Sequence, residues 1–284
     1  MLSPTIKKHI IKLFTFFIFP KILRIQIKRH LSYWFGLAQV RPEFFYEHYI
    51  YYKTRQKFAE QYQKDLFSYR IISLGCVCFA RTVPTLWGIK PRKAQGEVGY
   101  PFDLSNSYLD AITKCLTTDF KDYFKDLKFS DQLGMWCTNN EHLQYCHEHD
   151  LTKNDRDKII ERFSQRIENL REILKSDKRP AIFINYYRPE YTPKNLSETY
   201  SLYNTMYQSL VNYRKDRKFK FMIVDTYGDL DNKTLDPNIE LLSFKNIPQP
   251  YVWHLDECRC KPFGLAFEQE FIAKVLDTLK ELQG

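Results

Sequence analysis

Two hydrophobic patterns alternate along the chain. The run "YRIISLG" packs Ile71, Ile72 and Leu74 together and stops at Gly75, which predicts a short buried strand. "AIFINYY" (181–187), "FKFMIVDTY" (219–227) and "IELLSF" (239–244) predict three more. Between them, apolar residues recur at helical spacing. In "KNDRDKIIERFSQRIENLREILKS" the stripe is Ile159, Ile160, Phe163, Ile167, Leu170 and Leu174, with Glu and Arg on the other faces. "SYLDAITKCLTTDFKDYF" places Leu109, Ile112, Leu116 and Phe120 on one face. "NLSETYSLYNTMYQSLVNYRK" predicts a helix capped by Asn195 or Ser197, and "GLAFEQEFIAKVLDTLKEL" a closing helix. In "CFARTVPTLWG", Pro84 limits the predicted helix to an early turn. Residues 90–103 read as a loop and 128–151 as irregular. The alternation predicts an α/β fold, a three-layer sandwich with a mainly parallel sheet. Ligands of such folds bind at the carboxyl ends of the strands, where Gly75 to Cys78 fall.

The 284 residues suffice for a sizeable core, and three segments are expected: an arm over 1–42, a leading helix over 43–68 and one α/β domain over 69–284. Charge sharpens this division. The chain carries a net +9, yet eight cations (Lys7, Lys8, Lys12, Lys21, Arg24, Lys28, Arg29 and Arg41) precede the first acid, Glu43. The remainder is close to neutral, which argues against a nucleic-acid face on the domain. The arm mixes these cations with aliphatic and aromatic residues. Its longest uncharged run, "LFTFFIFP", is far shorter than the ~20 apolar residues of a membrane span. It reads as a basic amphipathic helical segment lying on the anionic lipid of the inner membrane through residues 5–30. Seven cysteines and no export signal predict a reduced, cytoplasmic protein, peripheral on that membrane.

The cysteines raise the question of chemistry. Cys78 follows a strand and a turn-permitting glycine, at the start of a predicted helix, where N–H groups favour a thiolate and an oxyanion. A nucleophilic thiol needs a base, and His142, His147, His149 and His254 lie within the domain. His149 stands beside Asp150, and His254 two residues before Asp256. The competing reading is a small buried cysteine without chemistry. The pairs Cys76/Cys78 and Cys258/Cys260 could make a four-thiolate metal site, and Cys137, Cys146, His147 and His149 could supply other ligands. The one-residue spacing departs from common zinc patterns, so no metal is expected.

In order, "SLGCVCFA", "GYPFDLSNSYLDAITKCLTTDFKDYF", "HEHDL" and "RFSQRIENLREILKSDKRPAIFINYYR" resemble a bacterial family of papain-like cysteine peptidase domains over about residues 70 to 190. The resemblance implies that Cys78, not Cys76, is the family cysteine, followed by Ala80. It also implies functional positions at Pro101-Phe102-Asp103 and His149-Asp150, with Leu151 where the family has an aromatic. Strand–helix alternation, with a nucleophile after the first strand, is similar instead to SGNH-type esterases and to cysteine-containing acetyltransferases of capsule biosynthesis. In that layout His254 or Asp256 supplies the base side. The expected chemistry is acyl transfer through a Cys78 thioester, with His149 or His254 as base and Asp150 or Asp103 orienting the imidazole. A hydrolase of peptides, an acyltransferase on surface polysaccharide precursors (the glycan substrate then needing an acyl-CoA donor), and a non-catalytic binding protein with structural cysteines stay open. No other cofactor is expected.

Overall fold

The long apolar runs become the strands of one parallel sheet. The computed structural model describes residues 7–12, 27, 31, 45–62 and 66–284, apart from 216, 246 and 250. The chain runs α1 (Phe45–Tyr62), β1 (Arg70–Ser73), α2 (Phe79–Leu86), β2 (Asn106–Ser107), α3 (Leu109–Thr117), β3 (Lys128–Ser130), β4 (Met135–Thr138) and β5 (Leu143–Gln144). It continues with α4 (Arg156–Lys175), β6 (Ala181–Tyr186), α5 (Leu196–Arg214), β7 (Phe219–Asp225), β8 (Ile239–Ser243), α6 (Asp256–Arg259) and α7 (Pro262–Gln283). Most of the proposed membrane-surface arm lies outside the described residues. Among those described, no helix is long and apolar enough to cross a membrane.

The parallel sheet has the order β1–β6–β7–β8. Every residue of β6 is buried, as expected of a central strand covered on both faces. Alternation along the strands sorts side chains into two cores. Ile72, Phe183, Phe221 and Ile223 meet α3, α4 and α5, while Ile71, Ile182, Ile184, Met222 and Val224 meet α1, α2 and α7. The α1 face is fastened by the buried Glu268 carboxylate of α7, which accepts hydrogen bonds from Tyr51, Trp87 and Tyr251.

Three features depart from the expectations. A second, antiparallel sheet of order β2–β5–β4–β3 occupies much of the stretch read as irregular. Its strands have two to four residues, too few for an alternating pattern to register. Helix α3 ends at Thr117, and Asp119 and Phe120 take left-handed backbone angles, although Phe120 still buries its ring in the same core. Pro84 sits inside α2 and does not stop it before Leu86. The cap of α5 is Asn195, whose side chain accepts the Ser197 N–H at 2.9 Å.

Candidate functional site

The site forms where the two sheets meet. After β1 the chain turns through Gly75, whose φ of +75° suits glycine, and a Cβ there would lie 2.6 Å from Ile112 Cδ1. The turn sets Cys76 against β2: the Ser107 N–H donates to the Cys76 carbonyl at 2.7 Å. Ser107 in turn pairs with Leu143 of β5. The chain leaves β5 at Gln144, so Cys146 and His147 arrive beside the start of α2. There Cys78, only 7% exposed, occupies the N-cap position of α2, and no side chain caps the first turn.

Cys78 Sγ lies 3.1 Å from His147 Nε2. The sulfurs of Cys78 and Cys146 and a ring nitrogen of His147 all fall within 4.8 Å of one another. The two thiols titrate as one unit. Cys146 is pulled down to about 5 by the hydrogen bond from Cys78, against burial, with help from His147. Cys78 is pushed up by that same hydrogen bond, by burial and by the charge on Cys146. His147 is raised by its hydrogen bond to Cys146, although burial opposes this. The cluster therefore favours a negative charge shared between the two sulfurs and raises the proton affinity of the adjoining imidazole.

The loop bearing His147 is pinned to α4. Glu148, buried, pairs with Arg162 and, at 2.8 Å, with Arg166. Asp150 is exposed and takes Arg162 at 2.9 Å, so its carboxylate is spent on α4. His149 is exposed and meets His147 edge-on, with ring centroids 6.1 Å apart. His254 stands in the loop before α6, lowered by burial and then by the charges of Arg259 and His147. Asp256 binds Arg259 at 2.7 Å. Asp103 is buried; it accepts the Tyr100 N–H at 2.9 Å and faces Arg81 Nε at 3.4 Å. Burial raises its carboxyl, against the charges of Lys90 and Arg81. Of the residues singled out in the sequence, the structure thus brings Cys78 to His147. His149, Asp150, His254 and Asp103 stand around the pair with the partners just described. The adjacency of Cys146 and His147 is the sequence signal for this cluster; in the sequence alone, Cys146 reads only as a possible metal ligand, and His147 as that or as one of four candidate bases.

The four-thiolate grouping that the two Cys-x-Cys pairs could have made does not form. Cys76 is wholly buried in one core against Asn185, whereas Cys260 lies in the other beside Asp256. His147 opens onto a cleft of about 1390 Å³ whose walls include Arg81, Asp103, Leu104, Glu148 and Arg162.

No curated protein matches the chain, and no solved structure does. Residues 69–227 match the family described as "Putative papain-like cysteine peptidase (DUF1796)". The matched segment starts just before β1 and takes in Cys78, the antiparallel sheet and His147. Since it spans more than half of the 284 residues, the chain belongs to that family.

Proposed function

We propose that the protein performs acyl transfer through a covalent Cys78 thioester, with His147 as its base. The reading rests on one observation, the 3.1 Å approach of His147 Nε2 to Cys78 Sγ at an uncapped helix start. Cys78, rather than Cys146, is assigned the attack because the first-turn N–H groups of α2 lie beside it. Those groups have no helical acceptor and suit an oxyanion. Proton exchange within the thiol pair carries the negative charge from Cys146 to Cys78. Protonated His147 gives its proton to the leaving group, and the neutral ring then acts as base, taking the proton of the acceptor hydroxyl that cleaves the thioester. The base differs from His149 of the sequence reading by two residues. The acceptor names the enzyme: water makes a peptidase-type hydrolase, and a sugar hydroxyl makes a transferase of surface-polysaccharide precursors. The basic stretch 5–30 is proposed to hold the domain at an anionic membrane surface.

An activated ester such as p-nitrophenyl acetate tests the chemistry. The expected result is a burst of nitrophenolate and one acetyl group on Cys78, located by peptide mass spectrometry. Cys78→Ser removes the burst, and His147→Ala slows it by a factor of about 10² to 10⁴. An acetyl group on Cys146, or none on any cysteine, contradicts the proposal.

A further inference from the structure

We propose that Cys78, Cys146 and His147 form a zinc site, binding Zn(II) through two thiolates and one imidazole nitrogen. Among the described residues they are the group of His, Cys, Asp and Glu side chains whose ligand atoms converge, all within 4.8 Å. The fit is geometric. With Zn–S near 2.3 Å and Zn–N near 2.0–2.1 Å, a tetrahedral ion needs S–S edges of about 3.8 Å and S–N edges of about 3.5 Å. The Cys78–His147 separation of 3.1 Å needs only a few tenths of an ångström of relaxation.

The ligands also come from anchored backbone. Cys78 occupies the N-cap position of α2, and Cys146 and His147 follow β5, which is tied to the Cys76 turn through Ser107. The donors are soft, two sulfurs and an imidazole, a set that selects zinc over calcium or magnesium. Asp103, whose Oδ2 takes Arg81 and the Tyr100 N–H while its Oδ1 has no hydrogen-bond partner, is not among the converging ligand atoms. Three protein ligands leave a fourth tetrahedral position, and His147 lines the cleft from which water or a substrate atom reaches it. Binding displaces the remaining thiol proton and any proton on the imidazole, so the dication and two thiolates cancel in charge beside a neutral ring.

Zinc and acyl transfer then compete at Cys78, because coordination draws electron density from the sulfur and crowds the approach to it. The zinc inference rests on the convergence of the three ligand atoms and stands apart from the acyl-transfer reading.

The test uses the full chain stripped of metal. Zinc is titrated against a chromogenic chelator, and Co(II) is added separately as a spectroscopic probe. The expected result is one tight equivalent, a sulfur-to-cobalt charge-transfer band, and protection of Cys78 from iodoacetamide by zinc. Cys146→Ser weakens zinc binding by at least about 100-fold. Absence of a tight equivalent, zinc that leaves Cys78 fully alkylated, or binding unchanged in both Cys78→Ser and Cys146→Ser overturns the site. The protection assay needs only wild-type protein, so it decides the matter even where a variant fails to fold. If metal-free Cys78 takes the acetyl group and zinc gives no protection, acyl transfer survives alone. If zinc binds and protects but no acetyl transfer occurs, the zinc site survives alone.

Discussion

Cys78 and Cys146 divide one negative charge, and His147 decides where it is useful. Because the hydrogen bond to Cys146, ahead of burial and of the charge on Cys146, is what chiefly holds Cys78 up, removing that thiol works in a definite direction. In Cys146→Ser the pH profile of Cys78 alkylation shifts to lower pH, and the two-step titration becomes a single step. Iodoacetamide labelling of metal-free protein, followed at Cys78 by mass spectrometry, checks this; a profile unchanged or moved upward contradicts it. The sequence signal for Cys78 was its place after a strand-ending glycine, and the structure finds it at the N-cap of α2. The choice between His147 and His149 was not legible. They lie two residues apart in one irregular loop, and which ring faces Cys78 depends on how β5 registers on β2, a pairing too short to leave a pattern.

At the scale of elements, α4 does more than cover the sheet. Its buried stripe of Ile159, Phe163, Ile167, Leu170 and Leu174 was readable from spacing alone. Its polar face carries Arg162 and Arg166, which grip Glu148 and so fix the segment bearing His147. That role was hidden, because a charged helix face ordinarily reads as solvated. Glu148→Ala leaves Arg166 without its carboxylate, and Arg162 with Asp150 alone. The expected loss of stability is about 3 kcal/mol, as for a broken buried pair, measured by urea unfolding. In the same variant Cys78 alkylation becomes less sensitive to His147→Ala, since the loop no longer holds the ring in place. Full stability together with full His147 dependence contradicts this role.

For the whole molecule, the two cores on either side of the parallel sheet were predictable from the apolar runs. Strands buried on both faces leave no other economical arrangement. The antiparallel sheet was not, although it carries half of the candidate site. Charge sets the pH limits of the assembly. Burial pushes Asp177 upward, but the guanidinium of Arg179 and then that of Arg70 outweigh it and leave its carboxyl well below the usual range. A carboxyl lowered on folding contributes stability above its unfolded value near 3.9, and that contribution is lost as pH falls through the folded value. Asp177→Asn therefore lowers stability at neutral pH by about 3 kcal/mol and flattens the acid side of the curve. Urea unfolding from pH 2.5 to 7 checks both. A variant that unfolds in parallel with wild type across that range contradicts the assignment. The basic N-terminal stretch belongs to this scale too. The full chain is expected to sediment with vesicles containing phosphatidylserine and to be released by high salt. A protein lacking residues 1–42 is expected to stay in solution; equal sedimentation of both forms contradicts the proposed membrane role.

The most direct measurement is the alkylation of Cys78 by iodoacetamide from pH 4 to 9, in metal-free wild type and in His147→Ala, His149→Ala and His254→Ala. The account predicts labelling of Cys78 in the folded wild type, at a rate that rises with pH because Cys146 competes for the charge. It predicts a loss of at least tenfold in rate in His147→Ala alone, with the other two variants close to wild type. A Cys78 that stays silent until the protein unfolds, or that depends on His149 or His254 and not on His147, contradicts it.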